Sequence, residues 1–213
     1  MDRLATLIAL LSLVLAPPAM GQSEGLTLTD VQTAYEALDG LRASFTQVIS
    51  SDFAGDTTRI EGTVLLSGNK YRVNTPNQTV VTDGNMTWIY TPADSQVVVN
   101  DAEQDASTVT PETFLTASAE RYTVESRTST TRGGTPHVKL DIAAVDSAAR
   151  FKEATLWVRQ SDRVVTRMRA TDSNGSTLDL RLSNLVVNPA LENDPFTFSA
   201  PEGVEVIDLR RSK

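Results

Sequence analysis

The sequence predicts a mainly β protein of the α+β kind, in which many short strands meander and a few short helices cover one face of the resulting sheet. Three observations predict it. Beyond Gly40 apolar residues recur at every second position in most segments. Turn pairs such as Gly68-Asn69, Asp83-Gly84, Gly133-Gly134 and Asn174-Gly175 separate those segments. Only two stretches, near residues 28–38 and 110–119, change to a helical period.

The first helix is read from Leu28, Val31, Tyr35 and Leu38, with Thr29 or Asp30 as N-cap and Gly40 as the stop. Leu41, Ala43, Phe45, Gln47 and Ile49 then share one face of a strand. Ile60, Gly62, Val64 and Leu66 form the next, and Ser67-Gly68-Asn69-Lys70 turns the chain into Tyr71 and Val73. A short β-branched run, Thr79 to Thr82, leads through Asp83-Gly84-Asn85 into Met86, Trp88 and Tyr90, which line one face. Pro92 ends that strand, and Gln96 to Asn100 follows.

Thr110-Pro111-Glu112 reads as N-cap, proline at the first helical position and first-turn acid, opening a short helix through Phe114, Leu115 and Ala119. Strands resume at Tyr122 to Ser126, Val138 to Ala143, Ala149 to Arg159, Val164 to Thr171 and Leu178 to Leu182, before a tail with Phe196-Thr197-Phe198 and Val204-Glu205-Val206. The expectation is about ten or eleven strands and two helices in a single domain over residues 22–213. Such a meander curls into an antiparallel sheet or an open barrel. Periodicity fits equally an incompletely filled concave face, which makes an apolar pocket, and a fully packed sandwich.

The N-terminus reads as a cleaved signal peptide over residues 1–21. Arg3 precedes an apolar run from Leu4 to Leu15, Pro17 and Pro18 stop a helix, and Ala19-Met20-Gly21 supplies small residues for cleavage. The run is shorter than the roughly 20 residues a membrane span needs. No cysteine follows, so the released chain carries no lipid anchor there and no disulfide framework. Removing Asp2 and Arg3 together leaves the net charge at −8. That balance argues against nucleic acid and against electrostatic docking to anionic membranes.

Catalytic patterns are missing. His137 is the only histidine and reads as a surface strand position after Gly133-Gly134; neither a two-histidine metal site nor a cysteine nucleophile is available. Asp172-Ser173-Asn174-Gly175-Ser176 superficially matches a calcium loop, but the downstream glutamate is missing and a hairpin turn fits better. No cofactor is expected. Binding remains, on an inner face made by Phe45, Val64, Leu66, Tyr71, Val73, Met86, Trp88, Tyr90, Leu156, Val158 and Met168, with Phe114 and Leu115 as a lid. Methionine and amphipathic aromatics suit an adaptable apolar surface, and acyl chains need nothing more directional, at about 0.8 kcal/mol per buried methylene.

At this point the residues resemble a known family. Ala43-Ser44-Phe45-Thr46-Gln47 is similar to the Ser-Phe-x-Gln signature that opens the sheet in LolA-type periplasmic lipoprotein carriers. Gly62, then Asp83-Gly84, Trp88, Tyr90, Pro92, Gln96 and Val97 match that family's second strand and central hairpin in order. Phe196-Thr197-Phe198-x-x-Pro201-x-Gly203-Val204-x-Val206 resembles its C-terminal motif. The resemblance implies a half-open antiparallel β-barrel lidded by helices. It implies a soluble periplasmic monomer without catalytic activity, which takes lipoprotein acyl chains from an inner-membrane ABC-type transporter and passes them to an outer-membrane acceptor. A related lipid-sensing or protein-binding half-barrel and a periplasmic hydrolase are the alternatives.

One position departs from the family. Relatives place an Arg-Pro pair at the end of the second strand, whose arginine holds the lid backbone; here Leu66-Ser67-Gly68-Asn69-Lys70-Tyr71 contains no arginine. Either Arg59, Lys70 or Arg72 takes over, or the lid is held differently.

Overall fold

Twelve strands form one continuous sheet in the computed structural model, which describes residues 25–51, 55–102, 119–146, 149–191 and 194–210. In chain order they are β1 (Leu41–Ser51), β2 (Asp56–Ser67), β3 (Lys70–Asn74), β4 (Thr79–Thr82), β5 (Met86–Thr91), β6 (Gln96–Asp101), β7 (Tyr122–Arg132), β8 (Thr135–Ala144), β9 (Phe151–Arg159), β10 (Val165–Asp172), β11 (Thr177–Val187) and β12 (Glu205–Asp208). Their spatial order is β12-β6-β5-β4-β3-β2-β1-β11-β10-β9-β8-β7. The two ends, β12 and β7, are not paired with each other, so the sheet is an open barrel and not a two-sheet sandwich. Every pairing is antiparallel except the last, where β12 runs parallel to β6 with Val206 opposite Val97. The leader and the expected second helix, with Phe114 and Leu115, lie outside the described residues.

Helix α1 (Leu28–Glu36) differs from the expected boundaries at both ends. Its N-cap is Thr27, not Thr29 or Asp30. Thr27 Oγ1 accepts the Asp30 N–H at 3.1 Å while the Asp30 carboxylate accepts the Thr27 N–H at 2.8 Å, a reciprocal capping box. At the other end the helix stops at Ala37, and Gly40 is needed for a different reason: a Cβ there would lie 2.8 Å from the Leu66 carbonyl oxygen.

Register decides which side chains share a face, because opposed residues in an antiparallel pair project the same way. Phe45 faces Gly62 and Leu182, and from there the row continues through Leu180, Met168, Leu156 and Leu140 in one direction. In the other it continues through Val64, Val73, Val80 and Ile89. Leu28, Val31 and Tyr35 of α1 belong to the same buried cluster as these residues. This is the helix-side face. The opposite, outer face is polar over β7 to β11 but apolar over β4 to β6, where the C-terminal segment covers it.

That covering explains β12. Arg72 donates to the carbonyl oxygens of Pro195 at 3.0 Å and Thr197 at 3.4 Å, Phe196 is buried, and the Phe198 ring lies 5.9 Å from Tyr90. The chain then turns at Gly203, with φ of +79°, and β12 seals the edge of β6. The tail at Phe196–Phe198 is irregular, because its side chains pack across the sheet and its backbone joins no ladder.

Candidate functional site

The helix-side face carries the candidate binding residues, and eight of the expected ones lie on it: Phe45, Val64, Leu66, Tyr71, Val73, Leu156, Val158 and Met168. They divide by depth. Leu156, Val158 and Met168 are fully buried beneath their neighbours, whereas Phe45 and Tyr71 are only partly covered, together with Ile89 and Leu182. Ile49, at the far end of the Phe45 row, is 38% exposed. The accessible apolar band therefore lies over β1, β3, β5 and β11, beside the packed part of the core.

Met86, Trp88 and Tyr90 are not part of this face. Tyr90 opposes Thr79 and Val97, and Trp88 opposes Val81 and Val99; through Arg72 and Leu65 this row belongs to the outer face. Inward placement of the three is corrected by register: Thr87 and Ile89 point to the helix side instead. Met86, Trp88 and Tyr90 form the bed for the C-terminal segment, with the Arg210 guanidinium 2.7 Å from Met86 Sδ. Ile89 and Leu182 are additions to the expected set; alternation with Leu178 and Leu180 makes Leu182 readable, whereas Ile89 is not, since its neighbour Trp88 is apolar too.

At Gly62 the close packing of the face is sharpest. A Cβ there would lie 2.3 Å from the Asn74 carbonyl oxygen and 2.9 Å from the Phe45 ring. The glycine lets the aromatic ring lie flat over the sheet backbone.

The helix is held by polar contacts that differ from the expected ones. Tyr35 Oη accepts the Val165 N–H at 3.2 Å, and Arg127, reaching from edge strand β7, donates from Nε to the Leu26 carbonyl oxygen at 2.8 Å. Among the described residues, none of Arg59, Lys70 and Arg72 is seen to hold the backbone of α1. Arg59 pairs with Glu61 and Arg72 with the C-terminal segment, both on the outer face, and exposed Lys70 sits at the β2–β3 turn. Hydrogen bonding of helix-side backbone to an arginine is thus supplied from the other half of the sheet.

The outer face over β7 to β11 is charged. Asp179 accepts two hydrogen bonds from Arg167, at 2.9 and 2.6 Å, and two from Arg181, at 3.3 and 3.1 Å. Burial would raise its carboxyl, but those hydrogen bonds and charges prevail and hold it at about 2. Asp141 is likewise held below the usual carboxylate range: burial acts upward, and Ser126, Lys139 and Thr155 outweigh it. His137 is a correction. It is buried, 3% exposed, with Nδ1 2.8 Å from the Thr135 carbonyl oxygen and Nε2 3.0 Å from Thr166 Oγ1. Its role is structural. Asp172 Oδ1 accepts the N–H groups of Asn174 and Ser176 at 2.8 and 2.9 Å, so that loop is the expected hairpin turn. Among the described residues no three His, Cys, Asp or Glu side chains gather to hold a metal, and no helix is long and apolar enough to cross a membrane.

An open sheet with one apolar face beneath a pinned helix and a charged face behind defines a half-barrel of the ligand-carrying class. The family is identifiable. A model described as outer membrane lipoprotein carrier protein LolA matches residues 36–199, and the chain belongs to that family. Curated relatives named outer-membrane lipoprotein carrier protein include one from Histophilus somni (strain 129Pt), 26% identical over 192 residues, covering 86% of this chain and 88% of that protein. Another, from Hahella chejuensis, is 29% identical over 187 residues, covering 81% and 87%. Among solved structures, an uncharacterized conserved protein from Thermus thermophilus shares the fold with a TM-score of 0.57 at 14% identity, covering 86% of this chain and 97% of that one. Family and relatives together support a lipoprotein-binding carrier role.

Proposed function

We propose that this protein is a periplasmic carrier that takes up the acyl chains of lipoproteins at the helix-side face and delivers them to the outer membrane. The observation that carries the reading is the partly exposed band of Phe45, Tyr71, Ile89 and Leu182 beside α1, in a sheet whose edges stay open. Apolar contact suffices to hold an acyl chain. Because Leu156, Val158 and Met168 are buried under the same cluster, deeper entry needs α1 to lift from the sheet, and re-closure provides a means of release. An inner-membrane ABC-type transporter would supply the cargo and an outer-membrane acceptor would take it. The signal-peptide pattern at residues 1–21 fits a periplasmic location.

The test is binding of an environment-sensitive apolar dye to the purified protein, with displacement by a triacylated peptide. Saturable binding, displacement, and loss of both in Phe45→Asp with an unchanged β-type spectrum support the proposal. A folded wild-type chain that binds neither dye nor triacylated peptide overturns it. Pull-down from the native envelope then tests the transporter as partner.

A further inference from the structure

The sheet splits where β10 parts from β11, and Leu182 of the proposed acyl band lies at one border of the split. The β10–β11 ladder ends at the pair Arg167–Arg181, after which β10 pairs only with β9 and β11 only with β1. The opening left between Thr166 and the run from Leu182 to Leu185 has a volume of about 310 Å³. Asn184 keeps the split open with a left-handed backbone, φ of +50°, and its amide donates to Ser44 Oγ at 3.3 Å. In a chain of net charge −8, no acid among the described residues lines this opening. Two arginines do. Arg159 is already paired in bidentate fashion with Asp162.

Arg132 is different. Its guanidinium lies 5.4 Å from the Trp157 ring centre, and Arg167 lies 4.6 Å from the same ring. Among the described residues it has no ion-pair partner. The nearby Asp179 is already shared by Arg167, Arg169 and Arg181. Burial, then repulsion from Arg167 and Arg181, holds Arg132 below the usual arginine range. An anion placed against it would relieve that repulsion and be shielded from water on the tryptophan side. Around it the Thr135 and Ser183 hydroxyls and the second N–H of the Asn184 amide are donors from separate directions, while both ring nitrogens of His137 are already engaged. One cation with neutral donors on several sides suits tetrahedral phosphate oxygens better than a planar carboxylate.

We propose that this opening binds a phosphate group, with Arg132 as its cation and Thr135, Ser183 and Asn184 as its neutral donors. The phosphate comes from a lipid headgroup or from a soluble phosphate ester, and the same recognition serves both.

The experiment follows the two tryptophan indole N–H signals in nitrogen-15 spectra of the purified protein during titration with inorganic phosphate and with glycerol phosphate. The same protein is floated with vesicles of phosphatidylglycerol or of phosphatidylcholine. The expected result is a saturable shift at Trp157 without one at Trp88. Arg132→Gln should weaken it by about tenfold. Arg59→Gln, exposed on the outer face and paired with Glu61, should change it less than about twofold. Flotation with phosphatidylglycerol alone that Arg132→Gln abolishes assigns the site to a headgroup; soluble binding without flotation assigns it to a free ester. The proposal is overturned if neither form binds, or if Arg132→Gln binds as wild type does while its melting temperature is unchanged.

Discussion

Tyr35 Oη accepts the Val165 N–H at 3.2 Å, and this bond ties α1 to the sheet at the point where β10 parts from β11. Beyond the pair Arg167–Arg181 the β10 backbone has no ladder partner on that side. A tyrosine from the helix satisfies the buried donor there, so helix seating and the split in the sheet are coupled.

Tyr35→Phe keeps the ring and removes the acceptor. Stability should fall by about 1–2 kcal/mol in urea denaturation, the usual consequence of leaving a buried N–H unpaired. Exchange of the Val165 amide with deuterium should quicken. An unchanged Val165 exchange rate would show that the bond does not hold the helix.

Arg127→Ala removes the donor to the Leu26 carbonyl oxygen. Arg127 is exposed, so global stability should shift by no more than about 0.5 kcal/mol. Amide exchange in the first turn of α1 should rise and dye uptake should become faster. Equal uptake rates in stopped-flow mixing would separate this arginine from any control of the lid.

Gly62→Ala forces a methyl group against the Asn74 carbonyl oxygen and the Phe45 ring. The expected loss is about 2–3 kcal/mol, measured by thermal or urea unfolding. Adding Phe45→Leu should recover only part of it, because the Asn74 contact is backbone and cannot swing away.

The Asp179 carboxyl, held at about 2 in the folded protein against an ordinary value of 3.8, makes stability depend on acid. A depressed folded value means the stabilisation is complete above pH ~4 and is lost as pH falls toward ~2, an amount on the order of 2 kcal/mol. Asp179→Asn should flatten the stability profile over that interval. It should also be less stable at pH 7, because Arg167 and Arg181 lose their shared carboxylate.

Phe196→Ala tests the assignment of the two faces. Removing this buried ring from the outer-face covering should cost about 3 kcal/mol and shift Trp88 emission to the red. Dye binding should persist, in contrast to Phe45→Asp. Loss of dye binding in both variants, each still folded, would refute the separation of Trp88 from the acyl band.

Much of the sheet is legible in the sequence. Hairpins at Asp83-Gly84 and Asp172 to Ser176 form as their turn residues require, with Gly84 at φ of +93° and Gly175 at +85°. Alternation marks β7 only to Ser126, although the strand runs to Arg132. As an edge strand with Arg127 to Arg132 largely exposed, it has no buried face to impose alternation. His137 reads as a surface residue because nothing local marks it as buried; Thr166, which holds its Nε2, is 29 residues away.

By itself the sequence determined where the strands and most turns fall, that no disulfide can form, and which family the ordered motifs from Phe45 to Val206 belong to. Those properties depend on neighbours along the chain or on composition. Only the tertiary structure decided which side of β5 meets α1. Both faces of β4 to β6 are covered, one by the helix-side core and the other by residues 195–198, so Val80 and Val81, or Trp88 and Ile89, are apolar alike. Alternation then carries no sign. The direction is set by register with β3 and by a C-terminal segment more than 100 residues distant, contacts that exist only once the sheet has formed.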